Sequence, residues 1–108
     1  MKRVKRRYLA LQIEAEQMPS EREFIDAVWS SIVQLYGEFG ASQTSLALIS
    51  YNVESNSAVI RTALAALDMV RASIALITAL AGSKASVHIL AVSGTIKSLR
   101  PLTLQRKK

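Results

Sequence analysis

Apolar and polar positions along the chain switch between two periods. From residue 7 to 14 they alternate: Leu9, Leu11 and Ile13 point one way, and Tyr8, Ala10, Gln12 and Glu14 the other. That is the signature of a half-buried strand. Met18-Pro19-Ser20 ends it, and Ser20-x-x-Glu23 is a capping box that starts a helix. The helix is expected to run to about Tyr36 and to stop at Gly37. Its apolar positions, Phe24, Ile25, Val28, Trp29, Ile32, Val33, Leu35 and Tyr36, cover half of the helix, more than the stripe of about 100° that a surface helix needs. The surplus edge, Trp29 and Val33, fits either core against a twisted sheet or a partner contact. Gly37 and Gly40 then bracket a turn.

Residues 45–53 read as a second strand with both faces partly apolar: Leu46 and Leu48 on one, Ala47, Ile49 and Tyr51 on the other. The polar stretch from Asn52 to Asn56 connects it to a return strand at 57–63, with Val59 and Arg61 on one side. A second helix is expected over 64–81, ending at Gly82. It is apolar almost all round, so it is either buried on two sides or docked on another protein. A last strand follows at 85–92, and Ser93-Gly94 leads into a short helical turn at 95–99. The order β-α-β-β-α-β predicts an α/β (α+β) sandwich of ferredoxin-like or RNA-recognition-like type. Its four-stranded antiparallel sheet has the first and third strands central and both helices on one face. Tyr8, Ala10 and Gln12 then share the open face with Val59 and Arg61. Fold alone does not give function.

Composition narrows the choices. The 108 residues suit one domain, half of them are hydrophobic and 20% are charged, so the chain folds. There is no cysteine, which removes disulfides, thiolate catalysis and zinc fingers and suits a reducing, cytoplasmic setting. No secretory signal is visible, and the longest charge-free stretch of the most apolar segment is too short to span a bilayer, so no membrane is expected. The formal net charge of +6 is placed unevenly. Lys2, Arg3, Lys5, Arg6 and Arg7 open the chain, and Arg106, Lys107 and Lys108 close it. The stretch between them holds six basic residues against eight acids. Residues 1–7 and 101–108 thus read as flexible basic tails on a nearly neutral body, either for a polyanion partner or for solubility.

Candidate chemistry is sparse. His88 is the only histidine and alternates with Leu90 and Val92 on a strand, which suits a structural role. Glu14 and Glu16 make a solvated strand end rather than a metal site. Gly37-Glu38-Phe39-Gly40 lacks the length and the lysine of a phosphate loop. The chain therefore reads as non-catalytic. The third strand has no aromatic residue, so base-specific stacking across the sheet is not expected. Phosphate contact by the arms, Arg61, Lys97 and Arg100 fits better, and for Arg61 an ion pair with an acid fits as well.

Four segments in order resemble one family, the small α/β protein subunit of archaeal and eukaryotic ribonuclease P, the Pop-five family. They are Lys5-Arg6-Arg7-Tyr8-Leu9, Gly37-Glu38-Phe39-Gly40-Ala41, Val59-Ile60-Arg61-Thr62 and His88-Ile89-Leu90-Ala91-Val92-Ser93-Gly94-Thr95-Ile96-Lys97. The resemblance to the archaeal form implies a non-catalytic subunit of the ribonucleoprotein that removes the 5′ leader of precursor tRNA. It implies that the RNA holds the active site and its magnesium, the chain itself binding no cofactor. It also implies a barrel-shaped partner subunit and a homodimer within a heterotetramer. The RNA-binding residues would be Lys2, Arg3, Lys5, Arg6, Arg7, Tyr8, Arg61, Lys97 and Arg100. The protein-partner residues would be Trp29, Val33, Leu67, Val70, Ile74 and Ile77. The competing reading is a ferredoxin-like regulatory or ligand-binding domain that dimerises through its sheet, its tails serving solubility.

Overall fold

A computed structural model describes residues 5–96 of the chain. The expected turn residues 97–99, Lys2, Arg3, Lys97, Arg100 and the 101–108 tail lie outside the described residues. The elements are β1 (Arg6–Ala15), α1 (Glu21–Ser42), β2 (Ala47–Asn52), β3 (Ser57–Ala63), a 3-10 turn (Leu64–Ala66), α2 (Leu67–Ala75), β4 (Ala79–Leu80) and β5 (Ser83–Ser93). They form one antiparallel sheet in the order β2-β3-β1-β5-β4. The first and third strands are central, as the pattern predicts. The sheet has five strands rather than four, because the two-residue β4 extends its edge.

The alternation in β1 decides the layers. Leu9, Leu11 and Ile13 are fully buried and pack with Ile60 and Ala58 of β3 and with Val87 of β5. Phe24, Val28 and Ile32 of α1 and Val70 and Ile74 of α2 close that same cluster, so both helices cover one face. Each large aliphatic side chain so buried contributes about 1.5–3 kcal/mol. The helices meet through small polar residues: the Ser31 hydroxyl donates to the Ser73 carbonyl at 2.6 Å, and the Ser73 hydroxyl donates to the Met69 carbonyl at 2.8 Å.

The capping box is present. Ser20 Oγ accepts from the Glu23 amide at 3.1 Å, and the Ser20 amide donates to Glu23 Oε1 at 2.8 Å. Gly37 does break the helical backbone, with φ 78° and ψ 172°, but the chain then resumes helical geometry and ends at Ser42. The second helix is shorter than its composition predicts and ends at Ala75 rather than at Gly82. The amides of Leu76 and Ile77 bond back to Ser73 and Ile74, closing the helix with tightened turns. Ala79–Leu80 then pairs with Ser83–Lys84 around Ala81 and Gly82, both at positive φ. A two-residue connection of that kind is the turn that matches strand twist. Leu80 is fully buried, so the apolar run of the expected helix end is used by a strand.

Val70, Ile74 and Ile77, expected on a partner surface, are buried in the chain's own core, and Leu67 packs half-buried against it. The sheet side of α2 holds Leu67, Val70 and Ile74, and Ile77 joins the same core just beyond the helix end, which corrects that assignment. Among the described residues no helix is long and apolar enough to cross a membrane.

Tyr51 ties the edge strand β2 to the loop before α1. Its ring lies 5.5 Å from that of Phe24, and its hydroxyl donates to the Pro19 carbonyl. Burial, and then the Glu21 and Glu23 carboxylates, raise the Tyr51 pKa above its usual 10.0. Tyr51→Phe is expected to destabilise the fold by about 1 kcal/mol at neutral pH, the usual net value of one hydrogen bond. A raised tyrosine pKa means that the protonated form favours folding. The difference between wild type and Tyr51→Phe should hold below the ordinary tyrosine pKa and fade as pH rises through the raised one. Urea melts across the alkaline range measure this; a gap that widens with pH would contradict it.

Candidate functional site

The open face of the sheet is the surface that the helices leave bare. Pairing across β1 sets its rows: Tyr8 lies between Arg61 and Ser93, Ala10 between Val59 and Ala91, and Gln12 between Ser57 and His88. Two bulges shape it. Leu90 is an extra residue in β5 between Ile89 and Ala91, and Ile49 is an extra residue in β2 between Leu48 and Ser50. Bulges bend an edge strand and spoil it as a template for foreign strands. Here both also turn an aliphatic side chain onto the open face, where Ile49 and Leu90 pack with Tyr8, Ala91 and Ile96 around Ala10 and Val59. Ala10 and Val59 are as buried as core residues, at 0% and 3% exposure.

The polar groups around that centre differ from one end to the other. Arg61 stands directly opposite Tyr8. Its Nε is buried with no hydrogen-bond partner, and the ion pairs among the described residues are Arg22–Asp26 and His88–Glu14, neither of which uses it. The ion-pair reading of Arg61 therefore finds no acid. Lys5 and Arg6 are exposed beside it, and Arg7 lies half-buried, its guanidinium donating to the Arg6 carbonyl at 2.9 Å. Gln12, four residues along, leaves its Oε1 buried without a donor while its amide donates to the Asn56 carbonyl at 3.4 Å.

Glu14, at the far end, is the only acid in any strand among the described residues. It is already engaged: His88 Nε2 lies 3.1 Å from Glu14 Oε1 and 3.2 Å from Ser86 Oγ. Serine, histidine and carboxylate together invite a comparison with a nucleophilic relay. That relay needs the serine and the acid on opposite ring nitrogens. Here both share Nε2 on an exposed surface, so the geometry supplies a hydrogen-bonded contact and not that relay. Among the described residues no group of carboxylates and histidines is placed to hold a metal.

A second surface lies on α1. Trp29 is 40% exposed, Tyr36 and Leu35 are similarly open, and Phe39 is 80% exposed; Val33 is half-buried against the core. Phe39 owes its position to the glycines on either side. Gly37 takes a backbone conformation that suits only glycine. Gly40 sits where a Cβ would lie 2.8 Å from Tyr36 Cβ and 3.3 Å from Met69 Cε. The first glycine interrupts the helix and the second lets the restarted turn lie close against Tyr36 and α2. Of the expected partner residues, Trp29 is thus available and Val33 partly so. Phe39 is the exposed aromatic of α1 that helical periodicity did not mark, since Gly37 reads as the helix end; Leu35 and Tyr36 were counted in its apolar half but not as partner residues. Gly37→Ala is expected to cost about 1–3 kcal/mol in chemical denaturation, whereas Phe39→Ser should fall within about 0.5 kcal/mol of wild type. Equal losses in the two variants would refute this division between a strained hinge and a free side chain.

Comparison with known proteins places this arrangement. The model of the Rpp14/Pop5 family matches residues 7–102. "Ribonuclease P protein component 2" of Methanosarcina mazei is 31% identical over 95% of this chain and 87% of its own length. The protein of the same name from Methanosarcina barkeri is 34% identical over 95% and 75%, and that from Pyrococcus furiosus 31% over 91% and 82%. A chain in the cryo-EM structure of yeast ribonuclease MRP superposes with a TM-score of 0.70, at 17% identity, over 98% of this chain and 90% of that one. This last likeness is one of fold.

Proposed function

The chain belongs to the Rpp14/Pop5 family, and on that premise we propose that it is a non-catalytic protein subunit of ribonuclease P, which removes the 5′ leader of precursor tRNA. The observation that carries this reading is the match to curated ribonuclease P protein component 2 sequences over nearly the whole of this chain. The physical features agree with the role. A protein that assists a catalytic RNA needs cations to screen phosphates and a surface for a protein neighbour. It needs no nucleophile or metal of its own, the magnesium belonging to the RNA. The arm residues Lys2, Arg3 and Lys5, with Arg6, Arg7 and Arg61 on the sheet, supply the first; Lys97 and Arg100 extend it. The exposed side of α1, from Trp29 to Phe39, supplies the second, and the barrel-shaped subunit is its proposed occupant. The complex would be a dimer of such pairs in the cytoplasm.

The decisive experiment is reconstitution of precursor tRNA cleavage from cognate RNA and the barrel subunit, with and without this chain. Its presence should lower the magnesium requirement and raise the rate; cleavage indifferent to the chain would refute the role. Replacing Lys2, Arg3 and Lys5 by Gln should flatten the dependence of log affinity on log salt by roughly 2–3, at about 0.7–0.9 for each phosphate no longer neutralised. Phe39→Asp should weaken binding of the barrel subunit while leaving that salt slope unchanged. A slope that does not move in the first variant removes the arm from the RNA interface.

A further inference from the structure

We infer that the Tyr8–Arg61 end of the open sheet face is a subsite for one nucleotide of single-stranded RNA, the base lying on the Tyr8 ring and the adjoining phosphate on the Arg61 guanidinium. This deepens the reading above and rests on its premise that the partner is RNA. Three observations carry it. Tyr8 and Arg61 are direct cross-strand partners, so a ring and a planar cation stand side by side on one surface. Directly opposite pairs have Cβ atoms about 5 Å apart, within reach of one nucleotide. Ala10 follows the ring on β1 and Ser93 stands beside it on β5, while Ile49, Leu90 and Ile96 share its apolar patch around Ala10 and Val59, and the ring itself stays half-buried with part of its surface open. The Arg61 Nε has no acceptor among the described residues, and a buried donor without a partner favours any acceptor that reaches its group.

Charge then selects the ligand. Lys5, Arg6 and Arg7 lead into this end of β1, and by alternation Arg6 shares the Tyr8 face. The only carboxylate in the described strands, Glu14, lies six residues along β1, about 20 Å away at the rise of a strand, and is engaged by His88. Cations stand without acids in the strands at the Arg61 end, whereas at the other end Lys84 lies with Glu14 and Glu16, so a polyanion is drawn to the Arg61 end. Stacking on one ring tolerates every base. It also requires an unpaired base, because a duplex hides its rings. The subsite therefore separates single strands from duplexes, whereas the arm, acting through charge, binds both.

The test uses the full chain with oligoadenylate of eight nucleotides and with a blunt RNA duplex of equal phosphate number. Tyr8→Leu keeps an apolar side chain in place of the ring. It should weaken oligoadenylate binding about 5- to 100-fold with the salt slope unchanged, and leave duplex binding within about twofold. Tyr8→Phe should bind like wild type. Arg61→Gln should reduce the single-strand slope by about 0.7, one phosphate. Independently of any variant, the Tyr8 ring resonances of the wild-type chain should move upfield as oligoadenylate is added. Unmoved Tyr8 resonances, or a Tyr8→Leu variant that binds the single strand as tightly as wild type, overturn the subsite. If that happens while the arm variants still flatten the slope, RNA binding stands and only the subsite falls. If neither set of variants alters binding, the RNA reading itself fails.

Discussion

Strand β1 is the constraint on which the rest of the structure depends. It is hydrogen-bonded on both sides, to β3 and to β5, and its Leu9, Leu11 and Ile13 are fully buried. A slip of one residue would move all three to the other face and bring Tyr8, Gln12 and Glu14 into the core. That penalty amounts to several kcal/mol of lost burial together with buried polar groups. The register is therefore unique. The same register that buries the leucines places Tyr8 beside Arg61 and Glu14 beside Ser86. Packing on one side of β1 specifies the functional surface on the other.

Charge follows the same strand. It begins with Arg6 and Arg7 and closes near Glu14, and the neighbouring segments repeat the bias. Arg61 lies beside the basic start. At the opposite end the Ile13 amide bonds the Asn56 carbonyl of the β2–β3 hairpin, whose turn carries Glu54. Glu21 and Glu23 act on Tyr51 near that end, where they also sit at the positive pole of α1. These acids thus serve local ends, as helix cap, dipole partner and His88 acceptor, and on the strands themselves negative charge is confined to the end away from Arg61. A body of nearly zero net charge becomes polar along its sheet, which orients a polyanion as well as attracting it.

Much of this was legible in the chain, and the exceptions have physical causes. Alternation from Tyr8 to Glu14 announced β1, and the Ser20–Glu23 spacing announced the start of α1, because both are local rules. The end of α2 was not legible. Ala75 to Leu80 is rich in helix formers, and the turn that makes a strand of Ala79–Leu80 rests on Ala81 at φ 51°, a conformation that alanine does not advertise. The partner surface expected from the apolar wrap of that helix dissolved for a related reason: with the helix shortened, Ile77 belongs to the core beneath it. Ser31 and Ser73, to which periodicity assigns no role, join the two helices, the Ser31 hydroxyl answering the Ser73 carbonyl. That Tyr8 and Arg61 share the open face was legible, since it needs only parity and the strand order, whereas their direct pairing needed the register. That no acid among the described residues pairs with Arg61 required the fold.

The glycine motif shows why a resemblance and a structure answer different questions. Read as a string, Gly37-Glu38-Phe39-Gly40 ends a helix and begins a turn. In the folded chain Gly37 interrupts a helix that continues, and Gly40 lets the continuation lie against Tyr36 and Met69. The product of both is one aromatic ring held in solvent at the end of α1. Nothing in the core is served by exposing Phe39, and an exposed aromatic costs solvation that burial in a partner would recover. Strain that produces an exposed apolar side chain, rather than a packed one, adds nothing to stability and suits the proposed protein interface. The sheet face and the α1 surface then divide the work by chemistry. On the proposed reading, cations and one ring would face the nucleic acid and aromatic and aliphatic side chains a protein, and β1, buried between them, holds the two surfaces in fixed relation.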